Sequence, residues 1–197
     1  MTDQEKVFIE YCIKGDLKSV QRCVENGVEV NVENSWGIHC AAKASNSKLI
    51  FYLLENGVSF EDASNAEVLE YAANNNQLAV VEYLIRNSDV YKENNRALQW
   101  AAMKGHKVVF EILLTYLENL NGALVSASQN GRIEIVQLLI DNELAENDLS
   151  NKTVLYRTAK NGHWRVLDLL IRNNLGDYST LDKKLLEKYE TWKLKNS

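Results

Sequence analysis

Carboxylates apart, few side chains in this chain could ligate a metal or attack an electrophile near neutral pH: His39, His106 and His163, and Cys12, Cys23 and Cys40. Such chemistry requires the groups to converge. A zinc site holds each ligand about 2 Å from the ion and commonly draws on closely spaced cysteines, yet no CxxC pair occurs here. Three thiols also leave one over in any disulfide scheme. The sequence contains no GxxxxGK phosphate loop, no GxGxxG, no HExxH and no GxSxG. The expectation is a chain with no catalytic residue, no metal and no cofactor, whose cysteines are structural thiols of a commonly buried type.

The elements that would have to position any site announce themselves by repetition. The segments KASNSKLIFYLLENG, NNNQLAVVEYLIRNS, QNGRIEIVQLLIDNE and KNGHWRVLDLLIRNN share one apolar rhythm, and KGDLKSVQRCVENG and MKGHKVVFEILLTYL complete a set of six. A small residue precedes each: Cys12, Ala42, Ala73, Ala102, Ser128 and Ala159, at intervals of 30, 31, 29, 26 and 31. Such a period marks a stacked array, and its length suits a unit of two short helices. His106 and His163 then occupy the same turn two repeats apart. With hairpins spaced about 10 Å, they stand roughly 20 Å apart and cannot share an ion.

Within one unit, ALQWAAM places Leu98, Ala101 and Ala102 on one helical face, Gly105 and His106 make a turn, and VVFEILL forms a second, more apolar helix. The paired small residues allow a neighbouring helix to come close. Proline, about 5% of an average chain and costly inside helices, is absent. Asparagine is abundant at the turns, where its side chain bonds the local backbone. After the sixth unit, Leu181, Leu185, Tyr189 and Trp192 form an apolar stripe opposite Asp182, Lys183, Lys184, Glu187 and Lys188, which predicts a closing helix with Ser179 at its N-cap.

AAMKGHKVVFEILL and TAKNGHWRVLDLL, with the looser copies in the other four units, resemble the ankyrin repeat across almost the whole chain. The first unit, with Gly15 and Asp16 at its turn, is similar to an ankyrin first repeat. The family's Thr-Pro-Leu-His opening survives only as Trp36, Gly37, Ile38 and His39. The resemblance implies an all-α ankyrin solenoid of about six hairpins in one array over residues 1–197. Residues 1–35 would be an N-terminal capping repeat, 36–178 five further repeats and 179–197 a C-terminal capping helix. It implies that the three histidines brace turns by hydrogen bonding. The connections fall short of a 33-residue unit, most of all around Glu118 to Asn121, so stunted loops should leave recognition to the helices. Short, Asn-rich, proline-free repeats are similar to those of bacterial, phage and giant-virus ankyrin proteins.

In that family the inner face is lined by the first helices and the turns beside them. The positions that map there include Glu10, Ile13, Lys14, Cys40, Lys43, Ala44, Tyr71, Ser126 and Gln129. Five cations, Lys14, Lys43, Lys104, Arg157 and Lys160, oppose Glu10 in these columns, on a chain whose formal net charge is -5. A basic inner stripe on an acidic body is expected, with Tyr71 and Trp100 adjacent at its centre. The candidate partner-binding residues are Tyr71, Trp100, Met103, Lys104, Gln129, Tyr156, Arg157 and Lys160. Trp, Tyr and Arg dominate interface energies.

The function implied is protein binding, as an inhibitor, an immunity or antitoxin-like protein, or an adaptor, with a partner that presents an acidic contact surface. Nucleic-acid binding, with Tyr71 and Trp100 as stacking platforms, is the alternative. Five cations spread over an array roughly 50 Å long are sparse for it. The start, MTDQEKVFIE, lacks a basic segment followed by an apolar one, and no run approaches 18 apolar residues. A monomer without membrane attachment is expected, in the cytoplasm or, if the chain is delivered as an effector, in a host cytosol.

Overall fold

The computed structural model describes residues 1–58, 66–87, 95–117, 120, 122–144 and 153–196. Thirteen α-helices occur among these residues, and no strand. They pair as α1 (Asp3–Lys14) with α2 (Leu17–Glu25), α3 (Val32–Lys43) with α4 (Ser47–Glu55), and α5 (Ala66–Asn74) with α6 (Leu78–Asn87). The series continues with α7 (Asn95–Lys104) and α8 (Lys107–Tyr116), α9 (Ala123–Gln129) and α10 (Ile133–Asp141), and α11 (Val154–Lys160) and α12 (Trp164–Arg172); α13 (Lys183–Asn196) closes it. These are the six hairpins and final helix expected from the register. The chain forms two compact units, Met1–Ala97 and Leu98–Ser197, with the boundary inside α7. Most of the link Glu118 to Asn121, read as the shortest, lies outside the described residues.

First helices pack side by side, α1 on α3 and α3 on α5 in the first unit, α9 on α11 in the second. Small side chains permit this. Ala41, Ala42, Ala72, Ala73, Ala101, Ala102, Ala127 and Ser128 are essentially without exposure. Gly37 is the extreme case, since a Cβ there would stand 3.1 Å from Cys12 Sγ and 3.2 Å from Phe8 Cε1, and would push α1 side chains back by a few tenths of an ångström. The second helices supply bulk: Leu49, Ile50, Leu53, Leu84, Phe110, Leu113, Leu139, Leu167 and Leu170 are buried. Each such side chain contributes about 1.5–3 kcal/mol by leaving water.

Polar side chains hold successive turns in register. The Asn46 amide caps α4 by accepting from the Leu49 N–H (3.1 Å) while donating to the Gly15 carbonyl one repeat earlier (3.0 Å). Asn75 donates to the Ala42 carbonyl, Arg132 Nε to Met103 (2.9 Å) and Asn161 to Gln129 (2.6 Å). At the other end of the second helices, Asn56, Asn87, Asn142 and Asn173 each donate to the carbonyl four residues earlier. The asparagines thus satisfy carbonyls that a helix end leaves unpaired. His163 does not brace its turn by a side-chain cap; its ring lies over Gly131, whose φ of 70° no larger residue adopts cheaply.

The closing helix caps the sixth hairpin, as its stripe predicts. Leu181 and Tyr189 are buried, Leu185 and Trp192 are half-buried, and the Tyr189 hydroxyl donates to Asp168 Oδ1 at 2.7 Å. Ser179 is not its N-cap. Ser179 lies in a short 3-10 turn, Tyr178–Thr180, where Asp177 accepts from its N–H, and the α13 cap is Asp182, which accepts from Leu185 N–H at 2.8 Å. Asp182 directly precedes the helix and reaches its first-turn N–H groups, whereas Ser179 lies three residues upstream.

Two measurements check this packing. Gly131→Ala forces a side chain into left-handed backbone and sets its Cβ 2.5 Å from His163 Nδ1, so thermal or urea unfolding should show a loss of about 1–2 kcal/mol or more. Deleting residues 179–197 uncovers apolar surface of the sixth hairpin, and size-exclusion and melting experiments should show a lowered Tm with self-association.

Candidate functional site

In the first unit the exposed positions of three first helices surround one cavity of about 340 Å³. Ile13 comes from α1, while α3 contributes Trp36, His39, Cys40, Lys43 and, at its end, Ala44; α5 contributes Glu67 and Tyr71. The inner-face positions Ile13, Cys40, Lys43, Ala44 and Tyr71 therefore do meet. Trp36, His39 and Glu67 are additions. Trp36 stands four residues before Cys40 and Glu67 four before Tyr71, so a one-turn extension of each inner column would have found them.

Local backbone aims Trp36 at the cavity. Glu33, Asn34 and Ser35 adopt left-handed backbone in succession, with φ of 50°, 55° and 63°. Each such non-glycine residue costs of order 1 kcal/mol or more, a conformation kept only where the surroundings impose it. The regular helix begins after this kink, leaving Trp36 half exposed (50%) at the rim, with Ile13 57% exposed across from it.

His39 forms the floor. It is 5% exposed and its ring stacks on Trp36 with centroids 5.9 Å apart. Its Nδ1 is buried without a hydrogen-bond partner among the described residues and lies 3.7 Å from Glu67 Oε2. The turn-bracing role implied for His39 is thus not what Nδ1 performs, because stacking on Trp36 turns this nitrogen toward Glu67. Burial pushes the His39 pKa down and outweighs the opposing pull of Glu67, so the imidazole is neutral at pH 7. Burial likewise pushes the Cys40 thiol up, despite Lys43, and Cys12 up to about 12, which makes both poor nucleophiles. Lys43 shares the cavity with Glu67, and Lys14 pairs with Glu10 at 3.4 Å, so each of these two inner-column lysines has a carboxylate in its neighbourhood. Charge there is less one-sided than the inner columns alone suggest.

In the second unit, Trp100 and Met103 are half-buried and Lys104 is exposed, three and four residues apart on one face of α7. Packing of α11 on α9 brings the other candidates together. Arg157 Nη1 donates to Gln129 Oε1 at 3.4 Å, and Lys160 Nζ sits 5.6 Å above the Tyr156 ring. Tyr156 is half-buried, while Arg157 and Lys160 are exposed. Ser126, assigned to the inner face, is instead buried (7% exposed), like every residue of α9 from Ala123 to Ser128. A separate groove, lined by Trp164, Lys184, Lys188, Trp192 and Lys195, runs along the closing helix.

Among the described residues, no group of three or more His, Cys, Asp or Glu side chains could hold a metal, and no helix is long and apolar enough to cross a membrane. The arrangement offers an apolar hollow with a few polar groups, and exposed cations beside aromatic rings. Those are means of binding.

Comparison with known proteins agrees with this architecture. A model of ankyrin repeats, built of three copies, matches residues 8–94, 38–123 and 98–184. The chain is 25% identical over 152 residues, 72% of its length, to the transient receptor potential protein of Drosophila melanogaster, and the match spans 11% of that protein. It is 35% identical over 63 residues, 30% of its length, to ankyrin repeat domain-containing protein 40 of Mus musculus, of which the match spans 17%. The chain thus corresponds to a small part of each of these relatives. With helical hairpins along the described residues, paired small residues on the first helices α3, α5, α7 and α9, and a family match running from residue 8 to residue 184, the chain belongs to the ankyrin-repeat family.

Proposed function

We propose that this chain is a non-catalytic module that binds a partner protein through the exposed faces of its first helices. Ankyrin repeats in general mediate protein–protein interaction. The observation that carries the reading is that exposed Ile13 and Trp36, on successive first helices, line one cavity together, whereas other exposed apolar side chains such as Val108 and Ile133 lie on second helices. In the second unit, Trp100, Met103, Lys104, Gln129, Tyr156, Arg157 and Lys160 are the binding residues; in the first unit, Tyr71 contributes from the cavity wall. Arg157, Lys160 and Lys104 favour a partner with an acidic contact surface. The pairing of Lys14 with Glu10 and the presence of Glu67 beside Lys43 argue against a phosphate track.

Such a module acts by occupying its partner's surface, as an inhibitor, an immunity or antitoxin-like protein, or an adaptor. It works as a monomer, and three thiols without a disulfide suit a reducing compartment such as the cytoplasm.

The experiment is affinity capture with the intact protein, followed by affinity measurement on Trp100→Ala and Arg157→Glu. Each variant should keep its helical signal and melting point, and truncating a true anchor should weaken binding by about 2 kcal/mol or more. Unchanged affinity in both folded variants would move the interface away from the first helices of this unit.

A further inference from the structure

We infer that the groove along the closing helix is a second docking site, which takes an extended acidic segment of a partner protein with an apolar side chain among its carboxylates. The inference rests on the protein-binding reading above and adds a contact outside the first helices.

The closing helix has two faces of different composition. Leu185 and Tyr189 pack toward the sixth hairpin, whereas Lys184, Lys188, Thr191 and Lys195 recur at the three- and four-residue spacing of one helical face, and all four are exposed. Trp164, at the start of α12, and Trp192 complete a groove of about 510 Å³ with that face. Both indoles are half-buried. A neighbouring hollow of about 330 Å³ shares the two tryptophans and extends the groove to Arg165 and to Ile133, which is 41% exposed. Two tryptophans and an isoleucine thus offer apolar surface beside a row of lysines.

Charge names the occupant. Lys184, Lys188, Lys195 and Arg165 line the two hollows against one carboxylate among the described lining residues, Glu187, which lies 4.0 Å from Lys183 Nζ. None of the four cations forms an ion pair among the described residues. On a chain whose formal net charge is -5, this is a local reversal of sign. A segment bearing carboxylates is attracted at each of these positions, and a basic one is repelled.

Length favours a peptide over a nucleic acid. From Lys184 to Lys195 the helix rises about 16 Å, which an extended peptide spans in about five residues. Acidic side chains two positions apart on such a strand stand about 6.7 Å from each other, close to the rise of about 6 Å between Lys184 and Lys188. Nucleic acid draws its affinity from many phosphate contacts, which four cations over this length do not supply. Stacking on bases is limited too, because Trp192 already stacks on Tyr189 with ring centroids 6.2 Å apart.

The test titrates the full chain with the blocked peptide Glu-Glu-Leu-Glu-Glu, following the indole N–H resonances of Trp164 and Trp192 by NMR. Binding should saturate at those resonances, be about fivefold or more tighter than for Gln-Gln-Leu-Gln-Gln, and weaken as salt rises. Replacing the peptide's leucine by serine should weaken it about fivefold. Lys184→Glu combined with Lys188→Glu, both at exposed positions, should keep the helical signal and melting point, remove the preference for glutamate, and lower the affinity of a partner captured with the intact chain by a similar factor. No saturable binding, no preference for glutamate, no effect of the serine, or a preference that survives the double substitution overturns the assignment. Tighter binding of a five-nucleotide oligothymidylate overturns it in favour of nucleic acid. Partner affinity unchanged in the double variant overturns the groove as a docking site for that partner. If Trp100→Ala and Arg157→Glu lose the partner while the intact chain ignores the peptide, the groove falls and the first-helix face stands; if those two variants keep the partner and the lysine variant loses it, the groove stands and the first-helix face falls.

Discussion

Close approach of adjacent first helices is the constraint on which the rest of the structure depends. A helix whose inner contacts are alanine, serine or glycine can lie against its neighbour with little between the backbones, as Gly37 does against Cys12 and Phe8. That proximity brings each turn within reach of the one before it. Asn46 can then bond Gly15, Asn75 can bond Ala42, and Asn161 can bond Gln129, each a short side chain spanning one repeat. With longer side chains at the helix contact, these carbonyls would be out of range. The buried polar groups of the turns would then lack their partners.

This division of labour frees the outward positions. Bulk is supplied by second helices, through residues such as Leu53, Leu84, Phe110 and Leu139, and spacing by the small pairs. Neither task involves Cys40, Lys43, Tyr71 or Arg157, so side chains at such positions can be chosen for recognition at little cost to folding. The closing helix has the opposite role. Tyr189 is committed to the sixth hairpin by burial and by its bond to Asp168, which in that order push the phenol's pKa up, and Asp168 is itself paired with Arg172 at 2.7 Å.

The cavity in the first unit owes its rim to a local departure from regular helix. Three left-handed residues, Glu33 to Ser35, stand where a regular opening turn would be, at a conformational cost. The result is a tryptophan at the rim and a histidine beneath it, with a nitrogen facing a carboxylate from the next hairpin.

Much of this protein was legible in its residues alone. Apolar spacing and the recurring small residue determined six hairpins and their register, because both are dictated locally by helical periodicity. The asparagines at the ends of second helices were readable for the same reason, since their bonds reach only one turn. The C-terminal stripe revealed a cap, although not that Asp182 rather than Ser179 begins it, a choice made by the 3-10 turn that Asp177 holds in place. What only the tertiary structure decided was the company each exposed residue keeps. Ser126 turned inward, Gln129 met Arg157, and Ile13, Trp36, His39 and Glu67 gathered around one hollow from three helices. No local period encodes such meetings, because they depend on the spacing and rotation between helices whose residues lie tens of positions apart.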